Sequence, residues 1–171
     1  MLSTMTFKLK IDKSGWEKVK KNLQQAATNE IQLGWFPQQS YGPENGNLPM
    51  ATIAQLNEEG HINGADSLVP GAITPPRPFM RVGLKGALAA GANKDDFKDM
   101  IEALITGKSV LAAMQKSTTN FERTLRKVML DWDTPRNAPL TVEMKGFDDP
   151  LVETSQLIAN VTAKVEKKGS N

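Results

Sequence analysis

Histidine occurs once, at His61, and cysteine does not occur at all. The lack of cysteine removes disulfides and thiolate metal sites from consideration and fits cytosolic synthesis. A hydrolase built on His61 would need a nucleophile and a carboxylate beside it. The setting Glu59-Gly60-His61-Ile62-Asn63-Gly64 reads instead as a loop after a helix, where the ring is solvated or packs locally. Carboxylates stand in pairs at Glu58-Glu59, Asp95-Asp96 and Asp148-Asp149. Adjacent side chains on a helix or strand point apart, so these are poor acid–base pairs and better read as solvated acids or helix-start charges. Gly107-Lys108-Ser109 has the ending of a phosphate loop, but that motif needs a glycine where Glu102 stands and a strand before it. No catalytic residue, cofactor or metal is therefore expected.

The elements that carry these residues follow from periodicity. Met5, Phe7, Leu9 and Ile11 alternate with polar residues, which predicts a half-buried strand and not a secretion signal. Ser14 and Glu17 have capping-box spacing, and Trp16, Val19, Leu23 and Ala27 share one helical face, so a helix should run to about Asn29. Ile31, Leu33 and Trp35 alternate as a second strand ending at Pro37, and residues 38–48 are turn-rich. Pro49 suits the first turn of a helix bearing Met50, Ile53, Ala54 and Asn57, with Gly60 at its end.

Residues 61–75 read as a loop running into a corner, Pro75-Pro76-Arg77-Pro78-Phe79, whose prolines fix φ and remove backbone donors. Phe79 and Val82 should dock the helix that follows. A further helix should present Phe97, Met100, Ile101, Leu104 and Ile105 to the core. A longer one should present Leu111, Met114, Thr118, Phe121, Leu125, Val128 and Trp132. A short helix from Asn137-Ala138-Pro139 to Met144 and a closing strand over 157–165 complete the chain. Most of the methionines sit on these stripes and read as core filling. The expected fold is α+β: a small antiparallel or mixed sheet of N-terminal strands and a C-terminal strand, packed with several helices. It forms one domain over 1–166, and 167–171 frays.

Length and composition suit this reading. The 171 residues are 39% hydrophobic and 23% charged, with net charge +2, enough for one core and too neutral for strong non-specific nucleic-acid binding. No run of about 18 apolar residues offers a membrane span. Charge is uneven. Residues 1–28 carry six lysines against Asp12 and Glu17, whereas residues 29–66 carry Glu30, Glu44, Glu58, Glu59 and Asp66 with no Lys or Arg. Two readings stand: stacking of one subunit on another, or two differently solvated faces. Arg77 and Arg81 flank Phe79 on the corner. Either this is an interface anchor, or Phe79 plugs its own core while both arginines face water.

Two separated blocks resemble the minor tail and neck proteins of tailed bacteriophages. The first is Ile53-Ala54-Gln55-Leu56-Asn57-Glu58-Glu59-Gly60 followed by Pro75-Pro76-Arg77-Pro78-Phe79-Met80-Arg81. The second is Asn137-Ala138-Pro139-Leu140-Thr141, Lys145-Gly146-Phe147 and Pro150-Leu151-Val152-Glu153-Thr154-Ser155-Gln156-Leu157. Glu153 replaces the family's usual Asp and Ser155 its usual Gly, which predicts a looser or different turn there.

The resemblance implies a structural virion protein of the neck or tail top. It would complete the tail and join it to the head connector as a ring of copies, expected to be a hexamer, with tail tube or terminator and connector proteins as partners. Pro75, Pro76, Arg77, Pro78, Phe79, Arg81, Glu58 and Glu59 are the expected partner-binding residues. The alternatives are a morphogenesis factor absent from the finished particle, a small hydrolase using His61, and a channel-lining ring that touches genomic DNA non-specifically through Lys18, Lys20, Lys21 or Arg77.

Overall fold

The computed structural model describes residues 13–67, 69–89, 92–152 and 155–169, and the strand predicted over residues 5–11 lies outside them. The order is α1 (Ser14–Thr28), β1 (Asn29–Gly34), α2 (Met50–Glu59), β2 (His61–Ile62), β3 (Ile73–Thr74), α3 (Phe79–Ala89), α4 (Ala92–Thr106), α5 (Val110–Leu130), α6 (Pro139–Lys145), α7 (Gln156–Ala159) and β4 (Thr162–Lys167). The fold is α+β. β1 pairs antiparallel with β4, with Ile31 opposite Val165 and Leu33 opposite Ala163, and β2 pairs antiparallel with β3.

α5 is the axis. Ser109 caps it, its Oγ accepting from the Ala112 N–H at 3.2 Å. Met114, Thr118, Phe121 and Leu125 are buried along the predicted stripe, and Met129 extends it. Buried Ser117 and Thr118 satisfy their hydroxyls on the carbonyls of Met114 and Gln115. The core joins Trp35, Met50, Phe79, Leu125, Met129, Leu157 and Val161. Trp35 meets Phe79 edge-on at 6.0 Å, and its Nε1 donates to the Leu157 carbonyl at 2.8 Å, so the indole is buried with its polar atom satisfied. α3 lies close to α5 because Gly83 has no side chain; a Cβ there would sit 2.7 Å from Leu125 Cδ1. Glu122 and Arg126 of α5 bind β4 and α7. Glu122 accepts from the Ala163 N–H at 2.8 Å, and Arg126 donates to the carbonyls of Ile158 and Val161.

Several expectations need correction. α1 starts at Ser14, which is thus already helical and does not cap; Lys13 is the N-cap, and Glu17 pairs with Lys20 at 3.0 Å. Trp16 is 57% exposed and Leu23 is also exposed, while the buried residue of α1 is Asn22. The cause is the end of α4, whose last carbonyls need donors. Asn22 Nδ2 donates to the carbonyls of Ala103 at 2.9 Å and Lys108 at 2.5 Å.

On α4 the expected core stripe is largely at the surface: Ile101 is 58% and Ile105 69% exposed, and Phe97 is exposed too, whereas Asp96 and Ala103 are buried. Val82 of α3 likewise faces outward while Phe79 is wholly buried. The loop predicted over 61–75 contains the β2–β3 hairpin. Its strands are too short for periodicity to reveal, and Asn63 organises it by bonding the carbonyl of Val69 and the hydroxyl of Thr74. The last strand begins at Thr162, not 157, because Leu157 and Ile158 are both buried, which a helical turn allows and an alternating strand does not. β4 then reaches Lys167, and the Lys168 N–H donates to the Thr28 carbonyl. Ser155 takes φ 59°, ψ 0°, so the turn keeps the left-handed conformation a glycine would favour.

Candidate interaction site

The corner after β3 is held by α2. Glu58 is buried at the end of α2 and spends both oxygens on the start of α3: Oε2 accepts from the Met80 N–H at 2.8 Å, and Oε1 from the Arg81 N–H at 3.2 Å. A carboxylate thus satisfies two of the amides that a helix N-terminus leaves free and sits at the positive end of its dipole. Arg81 Nε completes the cluster at 2.9 Å from Oε1, with the rest of that side chain in solvent. Gly60 makes the approach possible. Its φ is 73°, and a Cβ there would lie 2.8 Å from both Thr74 O and Pro76 N.

Arg77 points the other way, into the protein, and is only 6% exposed. Its backbone N–H donates to Asn57 O at 2.7 Å. Its guanidinium donates to Pro135 O at 3.3 Å, Asn57 Oδ1 at 3.3 Å and Asn137 Oδ1 at 3.2 Å. Burial lowers its pKa, and nearby Asp148 partly opposes that shift. Asn57, Arg77 and Asn137 come from three separate sequence segments of the two blocks, and they meet at one point.

The expected partner-binding residues therefore divide. Within one copy, Glu58, Arg77 and Phe79 are buried in the chain's own packing, and Pro75 and Pro78 are half-buried. Pro76, Arg81 and Glu59 are exposed. The choice posed by the residue types resolves into neither alternative whole: Phe79 fills its own core, Arg77 does too, and only Arg81 faces water. Asn57 and Asn137 stood in the two blocks and at helix positions with no role as acceptors, because an amide's role as acceptor for a distant arginine leaves no periodic signal. His61 is half-buried, its Nδ1 3.3 Å from the Leu56 carbonyl. Among the described residues no group of three or more His, Cys, Asp or Glu could hold a metal ion, and no helix is long and apolar enough to cross a membrane.

Exposed apolar side chains are spread over several elements: Trp16 and Leu23 on α1, Val82, Leu84 and Leu88 on α3, Phe97, Ile101 and Ile105 on α4, Leu140 and Met144 on α6, and Ile62 and Ile73 in the β2–β3 hairpin. On α4 the polar side faces α5. Lys116 of α5 pairs with Asp99 at 2.6 Å, Asn120 donates to buried Asp96 at 2.6 Å, and Lys108 pairs with Glu102 at 2.6 Å. The acidic side of α4 is clasped to α5, and the apolar side is left facing out. Hydrogen bonding and then charge from Lys116 hold the Asp99 carboxyl below its ordinary range, and Lys108 does the same to Glu102. No protein family, curated protein or solved structure matches this chain.

Proposed function

We propose that this chain is a structural subunit of the neck or tail top of a tailed bacteriophage. It assembles with copies of itself into a ring that completes the tail and meets the head connector. The observation that carries the reading is the set of bulky apolar side chains left uncovered on α1, α3, α4 and α6. Scattered exposed apolar residues are ordinary, but four helices, α6 among them, each carrying two or more suit a protein that buries those faces against other chains. The two sequence blocks supply the family; their convergence on Arg77 gives them a physical role, that of a rigid tie holding the α2–α3 corner. A stiff body costs little ordering entropy on docking. Ring closure requires two different patches per copy, and the lysine-bearing α1 against the acid-only segment 29–66 offers a complementary pair.

Light scattering and negative-stain electron microscopy test the proposal on the purified protein, alone and mixed with tail tube and connector proteins of the same phage. Closed rings in either sample are expected. A monomer in both sinks the reading.

A further inference from the structure

We propose that the cavity beside Arg77 is a binding site for an oxyanion, a carboxylate or phosphate group carried on a partly apolar body. The cavity has a volume of about 600 Å3, within the range of small-ligand sites. Its polar lining includes Arg77, Arg136, Lys145, His61, Asn57 and Asn137, and among the described residues no Asp or Glu lines it. Leu48, Ile53, Met144 and Leu151 line the apolar remainder.

The donors exceed the acceptors. Arg77 is a buried cation whose three hydrogen bonds all go to neutral oxygens. A guanidinium has five N–H groups, so two are left over. Asn137 Oδ1 is used by Arg77, while Asn137 Nδ2 is buried with no hydrogen-bond partner. The nearby acid, Asp148, is engaged by the Asn137 N–H at 3.0 Å and by Arg136 at 3.6 Å. Lys145 already donates to Asp149 O at 2.8 Å and lies over the Phe147 ring, so it adds field more than a bond. A buried guanidinium with two N–H groups unspent, its charge offset only in part by Asp148, and an orphaned amide donor are each costly. An oxyanion between Arg77 and Arg136 takes up the unspent guanidinium N–H groups through charge-assisted hydrogen bonds, and satisfies Asn137 Nδ2 as well once that amide turns toward the cavity.

Equilibrium dialysis of the full chain against inorganic phosphate, at constant ionic strength made up with sodium chloride, tests this. Saturable binding of one phosphate per chain is expected. Arg136→Ala, at the exposed rim, should weaken it about tenfold, the loss of one charged hydrogen bond of about 1.4 kcal/mol. Asn137→Asp, which places a carboxylate against Arg77, should abolish it while circular dichroism stays unchanged. An adventitious ion only, shown by non-saturating uptake or by equal binding in wild type and Asn137→Asp, overturns the proposal. Light scattering then identifies the source. A fall in oligomer mass with phosphate assigns the natural anion to an acidic side chain of a neighbouring copy, and an unchanged mass assigns it to a free ligand; both uphold the site. The inference stands apart from the ring: a monomer that binds phosphate this way refutes the ring alone.

Discussion

α4 and α5 are adjacent, antiparallel in pattern and similar in appearance as sequences, each with an apolar stripe at helical spacing. Yet α5 buries Met114, Phe121, Leu125 and Met129, while α4 turns Phe97, Ile101 and Ile105 to the outside. The difference lies in what faces each helix. α5 is enclosed by α3, the β1–β4 sheet and α7, which meet it with apolar and neutral groups. α4 has α5 as its main neighbour, and that neighbour offers Lys116, Asn120 and the nearby Lys108, so the acids of α4 lie on the α5 side, with Asp96 buried and Asp99 and Glu102 at the edge. An amphipathic stripe announces that a face wants covering. It does not say that the same chain covers it.

The contrast can be broken most forcefully in α5. Leu125→Ala should cost about 2–5 kcal/mol in chemical denaturation, as expected for a fully enclosed leucine touching α3 at Gly83. A loss below about 1 kcal/mol would mean that α5 is not the enclosed helix. Asn22→Ala comes next. It removes the donor to Ala103 O and Lys108 O and leaves the end of α4 poorly satisfied, so about 1–3 kcal/mol should be lost. Hydrogen exchange should localise the loosening to the C-terminal turn of α4.

On the α4 stripe, Ile101→Ser should alter unfolding free energy by no more than about 0.5 kcal/mol, while light scattering shows a smaller assembly at equal concentration. Unfolding as costly as for Leu125→Ala, with unchanged mass, would show that the stripe is covered from within.

The smallest effect is the pH response of the clasp. The Asp99 and Glu102 carboxyls are depressed in the folded state by Lys116 and Lys108. Their contribution is therefore present above the ordinary carboxylate pKa of about 4 and lost as pH falls through the lower folded values. The lysines, raised by the same partners, lose their share only in strongly alkaline solution, as pH rises past their folded values. Asp99→Asn should lower the Tm slightly at pH 7 in low salt and make no difference at pH 2. Added salt should shrink the gap at neutral pH because the pairs are exposed. A gap that persists at pH 2 would argue against the ion pair as its cause.

Much of the fold was legible. α5, α2 with its Gly60 end, α6, and the pairing of a C-terminal strand with an early one were all readable from period and cap residues, because those signals are local. The site was legible in its residues and not in their roles. Pro75 to Arg81 was recognisable as a rigid corner, but the same Arg77 could have pointed to solvent or inward. Its direction depends on Asn57 and Asn137, far away along the chain. Ser155 shows the converse: the sequence suggested a changed turn, and the surrounding structure holds the serine in the left-handed region anyway.

By itself, then, the order of residues determined most of the helices, the strands that pair as β1 and β4, and where the chain is stiff, since each depends on neighbours within a few positions; the two-residue strands of the hairpin and the single turn of α7 are too short to leave such a signal. Only the tertiary structure decided which side of α1 and α4 turns inward, that Glu58 caps α3, and that a guanidinium is enclosed with three neutral acceptors. Those outcomes depend on contacts between different elements, many of them 20 or more residues apart, and no local pattern carries them.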